Sequence, residues 1–343
     1  MKYKTAVVLA GGAFGTSIAF VLAQNFDRVI IKVRSTENYF EINKGENATY
    51  LPGQKLPDSI KAALTWEEVY KESIGDIELI VSGLPMSAID DFCTRNLIDL
   101  KKLLDKDIPL VSLAKGIDHE TLKLPDEIYK TYFEEYRNQL IYLSGPSFAK
   151  EILDRQITIV SIAGEDKDKL LLACDMLATT FFKALPTTDV KGVLLGGSLK
   201  NVIAIAGGIM EGLGYNHNTR AALITRGIVE MLRFGQFFGA KPETFYGPSG
   251  MGDLILTTTG ELSRNKTFGL EIAKGRSPEE IIKSTRSVVE GYKTTKAAHL
   301  LAEKKGVKAR IFSGLYQVLY EGHDPKEVVQ GLMMLPPKFD EET

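Results

Sequence analysis

AVVLAGGAFGTSIAFVLA, residues 6–23, is the stretch on which the fold turns. It begins as a continuous apolar run, breaks at Gly11 and Gly12, and resumes after Gly15 as an apolar helical pattern. Strand, glycine turn and helix, in that order, are the context in which a loop can hold a dinucleotide pyrophosphate. Glycines let the backbone approach the phosphates, and the helix N-terminus favours their negative charge. Gly12 and Gly15 occupy the second and third places of a G-x-G-x-x-G spacing, Ala13 and Phe14 lie between them, and Ala10 stands at the first. An alanine there is tolerable only with negative φ. The same stretch would suit a tight strand–helix turn without a ligand, so the rest of the chain has to decide.

It decides for a dinucleotide. TAVVLA (5–10) is followed by RVIIKV (28–33), IELIVSGLP (77–85), IPLVSLAKG (108–116), LIYLSGPS (140–147), ITIVSIAG (157–164) and TFFKALP (180–186). These runs are continuous rather than alternating, as strands buried on both faces are. Helical patterns such as SIAFVLAQN and KLLLACDMLATT separate them. The repetition predicts a doubly wound parallel sheet of Rossmann type over 1–187, with ligands at the carboxyl ends of the strands. From about 188 the strand signals stop. ALITRGIVEMLRFGQFFGA has helical spacing, KPETF and SPEEIIKS read as helix starts, and LAEKKG and LYQVLYEG end on glycine. An all-helical domain is expected over 188–343, packed closely on the first because no flexible linker joins them.

Composition narrows the function. The chain has 343 residues, 44% of them apolar, and a formal net charge of −2. Nothing in that balance draws nucleic acid or an anionic membrane. Cys93 and Cys174 lack metal-ligand spacing and read as inert core residues of a reducing, cytoplasmic setting. The four histidines form no zinc motif, so no metal site is expected. The apolar N-terminus reads as a first strand rather than a signal peptide. The stretch 192–214 carries Lys200, Asn201 and Glu211 among many glycines, and reads as a buried helix rather than a membrane span.

The end of the second strand bears on the choice of cofactor. An acid there would hold the ribose 2′-hydroxyl of NAD. The sequence instead reads KVRSTEN, with Arg34 at the tip. A guanidinium can stack on adenine and pair with a 2′-phosphate. NADP(H) is favoured on this basis, although Glu37 keeps NAD(H) open and an exposed arginine would look the same.

Eight segments, in order, carry a resemblance: LAGGAFGTSIA (9–19), NATYLPGQKLPDSI (47–60), SLAKGID (112–118), SGPSFAKEI (144–152), GGSLKNVIAIAGGIMEGLG (196–214), ALITRGIVEM (222–231), GMGDLILTTTGELSRNKTFG (250–269) and VVEGY (288–292). Together they span nearly the whole chain. The sequence resembles the soluble, NAD(P)-dependent sn-glycerol-3-phosphate dehydrogenases of bacteria. That family reversibly reduces dihydroxyacetone phosphate to sn-glycerol 3-phosphate, the backbone of glycerophospholipids. By motif, the resemblance makes Lys200 the catalytic lysine and places Lys115, Gly145, Ser147, Asp253, Ser263, Arg264 and Asn265 around the substrate. It places Ala13, Phe14, Arg34, Lys115, Ala149, Arg264, Val288 and Glu290 against the cofactor. The sequence departs from the family at Ala10, at Ala114 and at SGLPMS (82–87), which touches the cofactor site more than the chemistry.

The residue types suit such a reaction. Reducing a ketone requires a proton at the carbonyl oxygen, and a buried lysine with a lowered pKa can supply it. Lys200 in GGSLKN therefore has a chemical reason to sit in an apolar segment, where otherwise it would be a snorkelling lysine. Asp253 follows a glycine in an apolar run and reads as its counter-charge, or as a helix N-cap. Ser263, Arg264 and Asn265 offer a hydroxyl, a guanidinium and an amide to a phosphate, or form a solvated helix start. Gly145 and Ser147 follow a strand end, as does Lys115. Glu290 suits a place near nicotinamide or ribose, and suits a surface loop about as well. Two further readings stay open: a related β-hydroxyacid-type dehydrogenase with a carboxylate substrate, and a non-catalytic dinucleotide sensor. The helical half also offers a face for a homodimer.

Overall fold

The computed structural model describes residues 2–285 and 288–334. The last residues of the expected helical domain, 335–343, lie outside the described residues. Eight strands form one sheet in the order β3-β2-β1-β4-β5-β6-β7-β8. They are β1 (Tyr3–Leu9), β2 (Phe26–Lys32), β3 (Ile60–Ala63), β4 (Ile77–Ser82), β5 (Leu110–Ser112), β6 (Leu140–Ser144), β7 (Thr158–Gly164) and β8 (Phe182–Thr187). Each of the seven expected runs overlaps one of them.

Two features differ from expectation. The first is β3, whose sequence is IKAA. Alanine is a weak strand former, and this short segment is a strand because it pairs with β2 at the sheet edge. The second is direction. β1 to β6 are parallel and β7 and β8 are parallel to each other, so the expected parallel sheet holds except at the β6–β7 pair, which is antiparallel. The connection after β6 carries only the five-residue helix Ala149–Leu153. At 1.5 Å per residue it spans about 7.5 Å, roughly half of what a five-residue strand covers. It does not carry the chain back along the sheet, so the next strand starts where β6 ends.

Both faces of the sheet are covered, as continuous apolar strands demand. Val7 and Leu9 of β1 join one core, and Ala6 and Val8 join the other. Helix α1 (Ala13–Leu22) and helix α2 (Thr36–Asn43) flank β1 and β2. After Thr187 the described residues contain only helices and turns. Their centre is a 23-residue helix, Val190–Gly212, in which every residue from Gly192 to Ile209 is buried. Among the described residues it alone is long and apolar enough to cross a membrane, and 89% of its most apolar window is buried inside the protein. Glycine lets a neighbour come close: a Cβ on Gly208 would lie 2.0 Å from the carbonyl oxygen of Lys266, and one on Gly269 2.1 Å from that of Ile205. The helix Arg264–Ala273 therefore lies backbone to backbone on the central helix. Cys93 is buried and Cys174 half-buried, both as free thiols whose pKa burial raises.

Candidate active site

Lys200 sits in the middle of the central helix and is 7% exposed. Its Nζ donates to Asp253 Oδ1 at 2.9 Å and to Thr257 Oγ1 at 2.7 Å. Asp253, 1% exposed, opens the helix Asp253–Thr259 behind the turn Pro248–Gly252. Gly252 is the cap residue there, so the carboxylate is free to face the lysines. Its other oxygen, Oδ2, accepts from Lys115 Nζ at 2.7 Å. Lys115 stands three residues beyond β5 and also donates to the carbonyl of Gly145 at 3.0 Å, beyond the end of β6. One carboxylate thus holds two ammonium groups, one from each half of the chain.

The electrostatics follow from burial and charge. Burial pushes the Lys200 pKa down to about 8 against the pull of Asp253, and the charges of Lys115 and Arg264 push the same way as burial. For Asp253, burial alone raises the pKa, but the two lysines outweigh it and hold the carboxyl below its ordinary value. Lys200 is therefore an acid poised near neutrality beside a permanent anion, which is the condition for efficient proton transfer. Burial raises the Glu290 carboxyl to about 7, opposed by the Met86 amide, which donates to Oε1 at 3.3 Å, and by Arg264.

The glycine turn lies beside this triad. The Lys115 ammonium sits 5.5 Å from the centre of the Phe14 ring, at the start of α1. A Cβ built on Gly12 would meet no atom within 4 Å, whereas one on Gly15 would lie 2.4 Å from the carbonyl oxygen of Ala10. Gly15 thus serves close strand–helix packing, and Gly12 leaves an open cradle at a helix N-terminus. A pyrophosphate fits that cradle. Ala10 has φ +79°, which overturns the expectation that it keeps φ negative. The turn from β1 into α1 imposes a left-handed residue at that position, and the protein tolerates the strain, about 1–2 kcal/mol for a residue with a Cβ.

Family models described as the N-terminus and the C-terminus of NAD-dependent glycerol-3-phosphate dehydrogenase match residues 5–170 and 189–330. The chain belongs to the NAD-dependent glycerol-3-phosphate dehydrogenase family. The glycerol-3-phosphate dehydrogenase [NAD(P)+] of Leptospira biflexa is 44% identical to it over 95% of this chain and 96% of that protein. Its counterpart in Myxococcus xanthus is 42% identical over 97% and 98%. A crystal structure of glycerol-3-phosphate dehydrogenase from Coxiella burnetii superimposes with a TM-score of 0.88 at 31% identity, over 97% of this chain and 99% of that one. The protein is an oxidoreductase of this family.

Against the family assignment, the expected site residues fall into three groups. Lys200, Asp253, Lys115 and Gly145 meet directly. Phe14, Ala13 and Ala149 pack against the core beside the glycine turn, and Glu290 reaches the Met86 amide. A second group is tied up within the protein. The Ser263 hydroxyl caps the helix Arg264–Ala273, accepting from Lys266 N at 3.3 Å, and that of Ser147 donates to Gly145 O at 2.9 Å. The Asn265 amide bonds Asn201 at 2.9 Å and accepts from Gly291 N at 3.0 Å. Of the Ser263–Asn265 trio, Arg264 alone presents an exposed side chain. The third group lies at the rim: Arg34 after β2 and Val288 are exposed. Sequence reasoning missed Thr257, whose spacing of four from Asp253 on a helix was the available signal. It also missed Ser198, whose hydroxyl accepts from Gly116 N at 2.8 Å and steadies the Lys115 loop. Among the described residues no cluster suits a metal ion.

Proposed function

We propose that this site transfers hydride reversibly between NAD(P)H and dihydroxyacetone phosphate, giving sn-glycerol 3-phosphate for glycerophospholipid synthesis, with Lys200 as the proton donor and acceptor. The observation that carries the proposal is the placing of Asp253 between Lys200 and Lys115. The nicotinamide supplies the hydride, and the residues of this chain do the rest. Lys200 delivers its proton to the ketone oxygen as charge builds there. Asp253 and Thr257 fix the direction of Nζ, which keeps the donor oriented before substrate arrives. Lys115 balances the second oxygen of Asp253 and brings positive charge to the end of β5, beside Gly145 and Ser147. Arg264, whose charge also acts on Glu290, takes the phosphate of the triose. Gly12, Ala13 and Phe14 receive the pyrophosphate, Gly15 lets the helix close on the strand, and Ala149, Val288 and Glu290 line the rest of the cofactor site. Arg34, exposed at the end of β2, favours NADPH over NADH.

The chain divides, in this reading, at 187/188 into a dinucleotide-binding part and a substrate part. Free cysteines support a reducing cytoplasm as its location, and a homodimer, the commonest assembly, is the expected oligomer. The complete lysine–aspartate–lysine set weighs against a non-catalytic sensor. Absorbance at 340 nm tests the proposal. NADPH oxidation should require dihydroxyacetone phosphate, and Lys200→Ala should lose about 100-fold to 10,000-fold in kcat while still binding cofactor. Retained turnover in that variant removes Lys200 from the proton-transfer role.

A further inference from the structure

The segment after α2 does something that the motifs do not explain. Residues 44–57 turn back on themselves through the bridge between Glu46 and Lys55 and the bond from Leu56 N to Gly45 O at 2.8 Å. This fold-back carries Asn47 into the protein beside the glycine turn, where it is 1% exposed. Asn47 Nδ2 donates to the carbonyl of Gly11 at 2.9 Å and to Thr16 Oγ1 at 2.8 Å. Its Oδ1 accepts from Asn38 Nδ2 at 2.9 Å, and Asn38 is itself 6% exposed. Thr16 in turn donates to the same Gly11 carbonyl at 3.4 Å. A Cβ on Gly11 would lie 2.3 Å from Asn38 Oδ1, so the turn and this amide pair are in contact.

The consequence follows from peptide geometry. No peptide bond in the described residues is cis. In a trans peptide the carbonyl of one residue and the amide of the next point in opposite directions. Pinning the Gly11 carbonyl inward therefore aims the Gly12 N–H the opposite way, outward from the amide pair. The second half of the network reaches the other end of the cofactor site. Asn38 lies in the first turn of α2, four residues after Arg34, and its backbone amide donates to Ser35 Oγ at 3.4 Å.

We infer that Asn47 is a positioning residue for the dinucleotide: it orients the Gly11–Gly12 peptide toward the pyrophosphate and, through Asn38, fixes that peptide to the β2–α2 turn carrying Arg34. It touches neither cofactor nor substrate. The two places where the cofactor is recognised, phosphate turn and ribose end, are set relative to each other by two buried amides.

The inference rests on the glycine turn being the cofactor site, so Gly12→Val serves as the control. NADPH affinity is read by its fluorescence on binding, and steady-state constants at 340 nm. Gly12→Val fills the cradle and should abolish NADPH binding. Asn47→Ala should raise both Kd and KM for NADPH by about tenfold, the scale of one or two lost hydrogen bonds. At saturating NADPH its kcat and its KM for dihydroxyacetone phosphate should stay within about twofold of the parent. Asn47→Asp keeps the shape but loses the donor, and should weaken NADPH at least as much. Asn38→Ala leaves both Gly11 bonds in place and should act in the same direction, but less. If Asn47→Ala does not fold, these two variants carry the test. Parent-like NADPH affinity in folded Asn47 variants, with Gly12→Val inactive for binding, overturns the inference and leaves the glycine-turn reading intact. Normal binding by Gly12→Val overturns both. A fall in kcat with both KM values unchanged assigns Asn47 to general stability and also overturns it.

Discussion

Replacing Asp253 with asparagine tests the proton-donor argument through pH. Lys200 is held at about 8 by burial and by Lys115 and Arg264, against Asp253. At pH 7.5 a group of pKa 8 is about three parts ammonium to one part amine, whereas an ordinary lysine is about a thousand to one. Reduction needs the ammonium, so kcat/KM for dihydroxyacetone phosphate should fall as pH rises through about 8. The Asp253 anion lies 2.9 Å from Lys200 Nζ. At an effective dielectric constant of 20 that attraction has an upper bound of about 6 kcal/mol. A third of it, about 2 kcal/mol, corresponds to about 1.4 pKa units. In Asp253→Asn the alkaline limb should therefore move down to about pH 6.6 or below, with cofactor affinity unchanged and kcat lower at pH 7.5. The assay is the pH profile of kcat/KM at 340 nm from pH 5.5 to 9.5. A folded, cofactor-binding Asp253→Asn enzyme whose limb stays near pH 8 would refute the argument that Lys200 titrates under the control of Asp253.

Three other substitutions probe separate parts of the molecule. Arg264→Ala should chiefly raise the KM for the triose phosphate, by about 10-fold to 100-fold for a lost charge-assisted pair; an unchanged KM places the phosphate elsewhere. Arg34→Asp should shift the ratio of kcat/KM values from NADPH toward NADH, and an unchanged ratio removes Arg34 from the 2′ position. Glu230→Gln addresses stability. Burial raises the Glu230 carboxyl from 4.5 to about 7, although it accepts from Ile311 N at 2.8 Å and 3.0 Å at the start of the helix Arg310–Tyr320. Because the folded pKa is the higher one, its contribution is complete below about pH 4.5 and is lost as pH rises through 7. That amounts to at most about 3.4 kcal/mol. Urea unfolding at pH 5 and pH 8 should show a smaller difference in Glu230→Gln than in the parent, and an equal difference would exclude this group as the cause.

What could be read from the sequence was what neighbouring residues determine. The β1–turn–α1 unit was legible because an apolar run, two glycines and a helical pattern follow one another within 18 residues. Lys200 was legible because a charge stands out in an apolar helix. The reversal at β7 was not, since it depends on how far one short helix travels rather than on any residue pattern. β3 was hidden by its alanines and exists through pairing. Ala10 was misjudged because the turn, not the residue, sets φ. The sequence around Ser263 and Asn265 did not show that the one caps a helix and the other bonds Asn201, because both contacts depend on the fold. Asn47 lies 36 residues from Gly11, and no spacing rule links such a pair.

The apolar core that begins at Val7 and Leu9 of β1 continues without interruption through Leu199 and Val202 of the central helix to Phe312 and Leu319. The wall behind the strands and the wall behind the lysines are therefore one solid body, close-packed as protein interiors are. Parting them like jaws would tear that body open. Heat should melt both halves in a single transition, and neither half expressed alone should survive as a soluble piece.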